Sequence, residues 1–498
     1  MNIVKKRHIN QFITILHYFG DAGIVMGVFI LIPIIVALIY HETKFIIPFL
    51  SVGLITIIFS SVLKLVCKKK SKMTIRLSMF LVMFVWLFLA FLGSLPYYFS
   101  GELSFLNSYF EAMSGFTTTG FTMFSDFYTI PYTINFWRGL TQWLGGLGII
   151  FMVLTFMQTV GNDIIPLYNA EGRDERIFPS IRHTTKLMLY IYLGFTVLGV
   201  ILFILVRMPI FDSVFYTFTA LSGGGFAMSS LSIYNYHSFP IEVVAMLLMI
   251  LGATNFNLHY IILRGKWREY FKDIETKVFF SVVIVSVLII GIILSYHNVY
   301  GTNVFHNFRF ALFQVVSAIT TTGLQTSFAP QLHNGYNALG TLILTIIMII
   351  GAGTGSTGGG IKWQRVGIMV SSIENQIIGL LEPSRSVVVN KFHHIRDIVI
   401  TDKMVKYTLT FISIYLVVFA ISVMVVLVFY NDLSAVLFEI ASAMGNVGLG
   451  DGIINASSPF IVKIVYILDF WLGRLEIWPV LIVIYNILRK TKKTFSKI

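Results

Sequence analysis

The sequence predicts an all-α, multi-pass membrane protein in which two N-terminal transmembrane helices precede four tandem repeats of span, pore helix and span. Three observations predict this fold: a high apolar content, ten apolar runs, and a loop signature that occurs four times. Of the 498 residues, 56% are hydrophobic and 12% are charged, which is about half the charged share of a soluble domain. This composition excludes a soluble enzyme, a disordered scaffold and a disulfide-rich secreted module.

Ten apolar runs approach or exceed the roughly 20 residues that a helix needs to cross a bilayer. They lie at 12–40, 45–66, 78–99, 135–159, 186–207, 240–263, 278–297, 337–352, 405–430 and 460–488. The eighth run is short and ends in glycines. The first run is too long for the apolar core of a cleavable signal peptide, so we expect it to be a span.

Positive charges follow the order of these spans. Of the 36 Lys and Arg residues, 30 lie at the two termini and in the loops after the second, fourth, sixth and eighth spans. All of these segments are on one side of a ten-span topology, and cytoplasmic loops carry the excess of Lys and Arg. We therefore expect both termini in the cytoplasm. The net charge of +13 is then mainly a topology signal, and no nucleic acid partner is expected.

The loops on the opposite side share a signature that begins with Phe and reaches a final Gly. The four copies read FEAMSGFTTTGF from residue 110, FTALSGGGF from 218, FQVVSAITTTGL from 313 and FEIASAMGNVGL from 438. Their final glycines are separated by 105, 98 and 125 residues. Each copy lies between two spans, so we divide the chain into an N-terminal two-helix region at 1–72 and pore repeats at 73–175, 176–270, 271–400 and 401–498.

Loops of Thr and Gly between spans are suited to the passage of a cation. An ion that crosses the bilayer loses its water, and irregular backbone at membrane depth is tolerated where it is buried or lines a watery cavity. Four such loops around one axis would form a ring of carbonyl oxygens, as in a potassium filter. The short helix before each loop would direct its negative end at the ion. Small residues also serve in helix packing, but four copies on one face favour the pore.

A stretch at 351–360 interrupts the eighth span. Its six glycines are Gly351, Gly353, Gly355, Gly358, Gly359 and Gly360. Each costs a helix about 1 kcal/mol relative to Ala, so we interpret the stretch as a break inside the membrane that obstructs the pore and moves aside. A plain flexible helix end is the alternative. The segment also matches the dinucleotide fingerprint G-x-G-x-x-G, but it follows a predicted membrane helix and not a strand.

Arg474 is the arginine predicted inside the final span, where a charge usually faces a cavity or a partner. Its candidate role is a positive charge beneath the filter, and the alternative is a structural pair with Glu476 or Asp469. We expect His393 and His394 on the surface. Acidic side chains near the loops either concentrate cations or cap and solvate the loops, and they are Glu111, Asp126, Asp212, Asp432, Glu439 and Asp451.

These motifs resemble the Trk/Ktr/HKT superfamily of potassium transporters, and within it the TrkH-type membrane subunits. The resemblance covers nearly the whole chain. Besides the four loops, it includes WRGLTQWLGGLG from residue 137, GAGTGSTGGGIK from 351 and GRLE from 473. The two extra N-terminal spans favour the TrkH type over the shorter Ktr type.

The resemblance implies potassium uptake across the bacterial inner membrane, with potassium as the transported ion and no organic cofactor on this chain. It places Arg474 facing the pore near the gate. Some plant members with a serine at a filter glycine conduct sodium, so four glycines favour potassium, and a sodium-permeable or Na/K cotransporting member is the alternative. The filter residues that the resemblance implies are Thr118, Thr119, Gly120, Gly223, Gly224, Gly225, Thr321, Thr322, Gly323, Asn446, Val447 and Gly448.

Regulation is expected from another chain, because the longest cytoplasmic loop, at 362–404, is too short for a nucleotide-binding domain. The resemblance implies a homodimer docked on a cytosolic, TrkA-like nucleotide-binding ring. The basic inner face could also bind anionic membrane lipids. The different-class alternative is a membrane-embedded enzyme, but the sequence has no H-E-x-x-H motif, no paired intramembrane aspartates and no Ser/His constellation. Whether uptake is coupled to protons, to sodium or to neither stays open.

Overall fold

The computed structural model describes residues 2–68, 71, 74–148, 181–326, 336–381, 391–394, 396–483 and 485. These residues are predominantly helical, and a single short β-hairpin is the only sheet among them. The predicted all-α fold class is therefore confirmed, with the hairpin as a small addition on the loop that follows the glycine-rich stretch.

In the N-terminal region, the first long helix packs against the helix that follows the first turn. Helices α1 (Asn2–Leu31) and α2 (Pro33–Ile39) lead through a 3₁₀ turn, Thr43–Phe45, into α3 (Ile46–Val66). A side chain at Gly23 or Gly27 of α1 would clash with α3, because Ser60 and Ile57 already fill that space. Small residues of this kind let two helices approach closely in a membrane, where packing and not the hydrophobic effect drives their association.

The four loop signatures each lie in a segment with the same order of helices. The first segment contains α4 (Ile75–Phe99), α5 (Phe105–Phe116) and α6 (Tyr132–Leu147). The second contains α7 (Ile181–Leu205), α8 (Ile210–Leu221), the 3₁₀ turn Ser232–Tyr236, α9 (Phe239–Ala253), α10 (Phe256–Leu263) and α11 (Trp267–Lys272). The third contains α12 (Ile274–Tyr296), α13 (Val304–Ile319), α14 (Asn337–Ile350), α15 (Trp363–Leu381), β1 (Lys391–His394) and β2 (Arg396–Val399). The fourth contains α16 (Asp402–Leu427), α17 (Leu433–Gly445) and α18 (Phe460–Arg474). The predicted repeat boundaries and the pseudo-fourfold arrangement stay predictions.

Six described helices are long and apolar enough to cross a membrane. They correspond to the first, second, third, fifth, seventh and ninth predicted spans, at Ile9–Ile39, Thr43–Val66, Leu77–Phe99, Lys186–Leu205, Ile274–Tyr296 and Asp402–Leu427. The other four predicted spans are the second long element of each segment. The structure corrects the continuity of the runs at 240–263 and 460–488, which the sequence predicts as unbroken, and the ten-span topology stays a prediction.

The helix that begins the second predicted span of each segment is short, with 16, 15, 14 and 15 residues in α6, α9, α14 and α18. At about 1.5 Å per residue, none of them covers the roughly 30 Å of the hydrocarbon core. The chain bends by 106° between α9 and α10, where Asn255 caps α10. The part of the predicted fourth span that follows Gly148 lies outside the described residues. The sequence predicts the break after α14 but not those after α9 and α18.

The hairpin follows α15 and pairs β1 with β2 in antiparallel register, with Phe392 opposite Ile398. Phe392 is buried against Ile274 of α12 and Ile368 of α15. His394 is only 2% exposed, so its predicted surface position is wrong. The alternation of strand side chains places Phe392 and His394 on the same inward face, a feature that the helical context of the sequence conceals.

Candidate functional site: the four loops and the glycine-rich stretch

Each of the four loops is fixed by the same backbone hydrogen bond to the helix before it. The amide of the residue just before the final glycine donates to a carbonyl five residues earlier, at 2.8–3.0 Å. The four pairs are Thr119 to Ser114, Gly224 to Thr219, Thr322 to Ser317 and Val447 to Ser442. Since this bond fixes the alignment, the Phe equivalent to Phe110 in the second loop is Phe215, and the sequence signature that begins at Phe218 is three residues out of register.

The loops also share a left-handed backbone at two positions. The final glycines Gly120, Gly225, Gly323 and Gly448 have φ values of 100°, 71°, 80° and 90°. Two residues earlier, Thr118, Gly223, Thr321 and Asn446 have φ values of 55°, 69°, 53° and 54°. Left-handed non-glycine residues are uncommon, and they persist where the surrounding structure holds them. Three of them at matching positions mark these loops as a specialised structure.

The four loops contact one another in a closed cycle. A side chain at each final glycine would clash with the carbonyl oxygen of the residue before the final glycine in a neighbouring loop. The pairs are Gly120 with Gly224, Gly225 with Thr322, Gly323 with Val447 and Gly448 with Thr119. Backbones therefore approach one another at a common centre, and only glycine, which has no Cβ and tolerates positive φ, fits there.

Side chains tie the loops to neighbouring helices and to one another. Gln142 of α6 donates from Nε2 to the carbonyl of Gly224 at 2.6 Å and accepts from the amide of Phe226 at 3.1 Å. Asn446 donates from Nδ2 to Thr119 Oγ1 and to the Phe470 carbonyl, both at 2.9 Å. Gln142 lies in a motif that the sequence analysis singles out, but its role depends on a contact 82 residues away.

The acidic residues on the first and fourth pore helices brace the loops from within the protein. Glu111 accepts from the amide of Met123 at 2.7 Å and pairs with Arg138 at 2.9 Å. Glu439 accepts from the amides of Asp451, Ile453 and Ile454 at 2.8, 2.8 and 3.1 Å, and from the hydroxyl of Tyr466 at 2.8 Å. Both carboxylates are buried, so of the two predicted roles the structure supports the one in loop capping.

The other acidic candidates also make local contacts. Asp432 accepts from the amide of Ala435 and caps α17, at 3.1 Å. Asp126 accepts from the amide of Tyr128 at 3.0 Å, and Asp212 accepts from the hydroxyl of Tyr236 at 2.5 Å.

The glycine-rich stretch at 351–360 forms a loop between α14 and α15 that is bonded to the second and third segments. Gly353 and Thr357 donate from their amides to the carbonyls of Ala253 and Gly252, at 3.0 and 3.1 Å. Gly359 donates from its amide to the hydroxyl of Thr321 at 3.1 Å. Thr321 belongs to the third loop, so the stretch lies directly against the four-loop cycle. It is largely buried, and these bonds favour an ordered element over a frayed helix end.

Arg474 joins this stretch to the first segment. Its guanidinium donates to the carbonyl of Thr357 and to the carbonyl of Gly145 on α6. It also lies 5.6 Å from the ring centre of Trp86. The residues predicted as alternative partners make other contacts: Glu476 pairs with Arg365, and Asp469 accepts from Ser422 at 2.7 Å. The structure therefore brings Arg474 together with the glycine-rich stretch, as the sequence analysis expects.

Two features beneath the loops lie at the ends of quoted motifs, but the sequence analysis does not predict their geometry. Lys362 is 4% exposed and donates to the carbonyl of Gly358. After Arg474 the chain turns through Glu476 and Ile477, whose φ values are 57° and 61°. A β-branched residue in this region is a strained outlier. Strained backbone of this kind clusters at functional sites. Here the strained turn follows the end of α18, beside the glycine-rich stretch.

Comparisons with known proteins agree with this geometry. The family model TrkH, described as a cation transport protein, matches residues 47–495. An uncharacterized cation transporter of Methanocaldococcus jannaschii is 32% identical over 97% of this chain and 97% of its own. The Trk system potassium uptake protein TrkH of Vibrio parahaemolyticus is 28% identical over 95% of this chain and 98% of its own.

A solved structure shows the same fold. The crystal structure of the potassium transporter TrkH from Vibrio parahaemolyticus superposes with a TM-score of 0.83 at 26% identity, over 95% of this chain and 98% of that chain. Members of this family are ion transporters and not enzymes, so the membrane-enzyme alternative is excluded. With a family match over most of its length, the chain belongs to the TrkH family of cation transport proteins.

Proposed function

We propose that this protein is a potassium-uptake pore of the bacterial inner membrane, with both termini in the cytoplasm. The proposal is supported by relatives named Trk system potassium uptake protein and by the 30 positive charges on one predicted side. The single observation that carries it is the closed cycle of four loops, in which glycines pack against the carbonyls of neighbouring loops.

The loops act as the selectivity filter. Carbonyl oxygens that converge on one axis replace the hydration shell of a potassium ion. The amides of Thr119, Gly224, Thr322 and Val447 are bonded back to the pore helices, so they are turned away from the ion path. The pore helices also direct their negative C-terminal ends at the loops, which favours a cation. The oxygens come from 118–120, 223–225, 321–323 and 446–448.

The glycine-rich stretch acts as a gate below the filter. Its bonds to α9 and to Thr321, together with the contact between Thr357 and Arg474, hold it in the pore, so this arrangement corresponds to the closed state. Opening breaks these bonds and moves the stretch aside. A negative-inside potential then drives the cation inward with about 2.3 kcal/mol per charge per 100 mV.

We assign regulation to other chains. The protein functions as a homodimer whose basic cytoplasmic face docks on a TrkA-like ring, and the nucleotide binds to that ring. The coupling ion is not assigned, and uptake by symport and uptake driven by potential alone both fit the filter and the gate.

Growth tests the function. Cells that lack potassium uptake, supplied with this chain and its cytosolic partner, are expected to grow on limiting potassium. Failure to grow, with the protein present in the membrane, would contradict potassium uptake. Sodium entry in place of potassium entry would favour the sodium-permeable alternative.

Replacement of Gly323 by Ser tests the filter. Gly323 has a φ of 80°, and a side chain there would clash with the carbonyl of Val447. We expect Gly323→Ser to lower the ratio of potassium to sodium flux about tenfold, which corresponds to about 1.4 kcal/mol of lost discrimination. The measurement is ion flux into liposomes that contain the purified protein.

Gly452→Ala is the matched control for this substitution. Gly452 also has positive φ, 95°, but nothing lies within 4 Å of a side chain placed there. The control should keep the selectivity of the unmodified protein. Equal selectivity in Gly323→Ser and in the unmodified protein would show that the four loops are not the filter.

A further inference from the structure

The turn that opens α12 contains two buried carboxylates and contacts a buried histidine of the hairpin. Asp273, Glu275 and His394 are 0%, 1% and 2% exposed. Their side-chain N and O atoms lie within 4.8 Å of one another, although His394 is 121 residues beyond Asp273. Burying charged groups is costly unless they are paired or hydrogen-bonded, so a cluster this well enclosed needs a structural reason.

Glu275 holds the glycine-rich stretch. Its Oε1 accepts from the amide of Thr354 at 2.8 Å and from the hydroxyl of Thr354 at 2.7 Å. One carboxylate oxygen of Glu275 thus accepts two hydrogen bonds from a single residue of the stretch. Thr354 lies in the stretch, so this pair of bonds fixes the stretch to the first turn of α12.

Asp273 and His394 tie the hairpin to the same turn. Asp273 caps α12 by accepting from the amide of Glu275 at 2.9 Å, and its Oδ2 also lies 3.0 Å from His394 Nδ1. Phe392 adds an apolar contact with Ile274. The hairpin, the cap of α12 and the pair of Thr354–Glu275 hydrogen bonds (the clamp) therefore share three consecutive residues of backbone, 273–275, and cannot move independently.

We propose that Glu275 is a positioning residue of the gate, and that the Asp273–His394 pair couples it to the hairpin. A displacement of the hairpin, which lies on the predicted cytoplasmic side, shifts the first turn of α12 and releases Thr354. This inference rests on the proposed gate and adds to it a connection between the cytoplasmic surface and the glycine-rich stretch. Coupling of this kind requires a direct energetic test.

The first test concerns the clamp, the two hydrogen bonds from Thr354 to Glu275. Thr354→Val removes the hydroxyl and keeps the size of the side chain, whereas Thr354→Ser keeps both hydrogen bonds. We expect Thr354→Val and Glu275→Gln to raise potassium flux into liposomes, measured without a cytosolic partner, by about fivefold or more, the lower end of ordinary coupling between sites. Thr354→Ser should retain the flux of the unmodified chain. Unchanged or lower flux in both releasing variants, with the protein still monodisperse, would overturn the proposal.

The second test concerns the coupling. His394→Ala should raise flux in the unmodified chain but add nothing in a Glu275→Gln background, because both act on the same clamp. His393→Ala is the matched control: His393 pairs with Glu269 and Asp397 at 2.9 and 2.8 Å, outside the path to Thr354, and its loss should leave flux unchanged. Additive effects of His394→Ala and Glu275→Gln would overturn the coupling.

Two further outcomes separate this inference from its alternatives. A chain that lacks residues 355–358 should conduct freely if the stretch is the gate. If that deletion raises flux and the Glu275 and Thr354 variants do not, the gate stands and the positioning role fails. If EDTA or added Zn²⁺ alters flux in the unmodified chain but not in His394→Ala, the three side chains form a metal site, and the proposal is overturned.

Discussion

Glu111 and Arg138 show how single residues stabilise the loops of this protein. Both side chains are fully buried and form an ion pair at 2.9 Å. Arg138 also donates to the carbonyl of Ala227 at 3.0 Å and lies 4.4 Å from the ring centre of Phe226. One arginine thus connects the first loop to the second, and its charge is compensated within the protein.

Removal of one partner of this pair should be strongly destabilising. Glu111→Gln leaves Arg138 as a buried, uncompensated charge, which costs about 3–5 kcal/mol. The measurement is thermal unfolding of the detergent-solubilised protein. Lys44→Ala is the control, since Lys44 and Glu102 form a pair in which the lysine side chain is 65% exposed, and exposed pairs contribute little. Equal losses in the two variants would contradict a special role of burial.

At the scale of elements, the short helices α14 and α18, which follow the third and fourth pore helices, leave room for irregular backbone. Helix α14 ends at Ile350, and the glycine-rich stretch then fills the space beneath the loops. Helix α18 ends at Arg474, whose side chain reaches Thr357 of the same stretch. Non-helical backbone at membrane depth is acceptable here because it is enclosed by protein, and the stretch is bonded to the second and fourth segments.

Shortening the stretch should therefore open the pore. Deletion of 355–358 removes Thr357, which bonds to Gly252, to Leu221 and to Arg474. We expect basal potassium flux to rise about tenfold, which corresponds to a loss of about 1.4 kcal/mol from the closed state. Gly452→Ala in the outer segment, where nothing lies within 4 Å of an added side chain, is the control and should keep the basal flux. Flux that stays at the basal level in the gate deletion would remove the gating role.

At the scale of the whole molecule, the six long helices and the distribution of positive charge predict one orientation in the membrane. The hairpin follows the eighth predicted span and is predicted on the cytoplasmic side, whereas Gly452 follows the fourth loop and is predicted on the outer side. Asp397 of the hairpin and Gly452 are both exposed, so both positions accept a chemical label.

Labelling of single cysteines tests this orientation. The chain has one native cysteine, Cys67, so Cys67→Ser provides a cysteine-free background. In that background, Asp397→Cys should react with a membrane-impermeant maleimide only from the cytoplasmic side, and Gly452→Cys only from the outside. Reaction of both positions from the same side would contradict the predicted topology.

The sequence by itself determines the fold class, the order of the segments and the positions of the final loop glycines. Apolar runs follow from the thickness of the membrane, and charge asymmetry and the recurring Thr and Gly loops are local patterns that can be read without contacts. The break after α14 is equally visible, because six glycines in ten residues disfavour a helix.

Only the tertiary structure decides which residues meet. The breaks after α9 and α18 carry weak local signals: Asn255 is a helix cap, and Glu476 and Ile477 adopt positive φ that neither residue type favours. The second loop aligns through Phe215 because a hydrogen bond, and not the sequence signature, sets its register. His394 is buried because Asp273, 121 residues earlier, lies beside it. These outcomes depend on packing between distant segments, which no local pattern encodes.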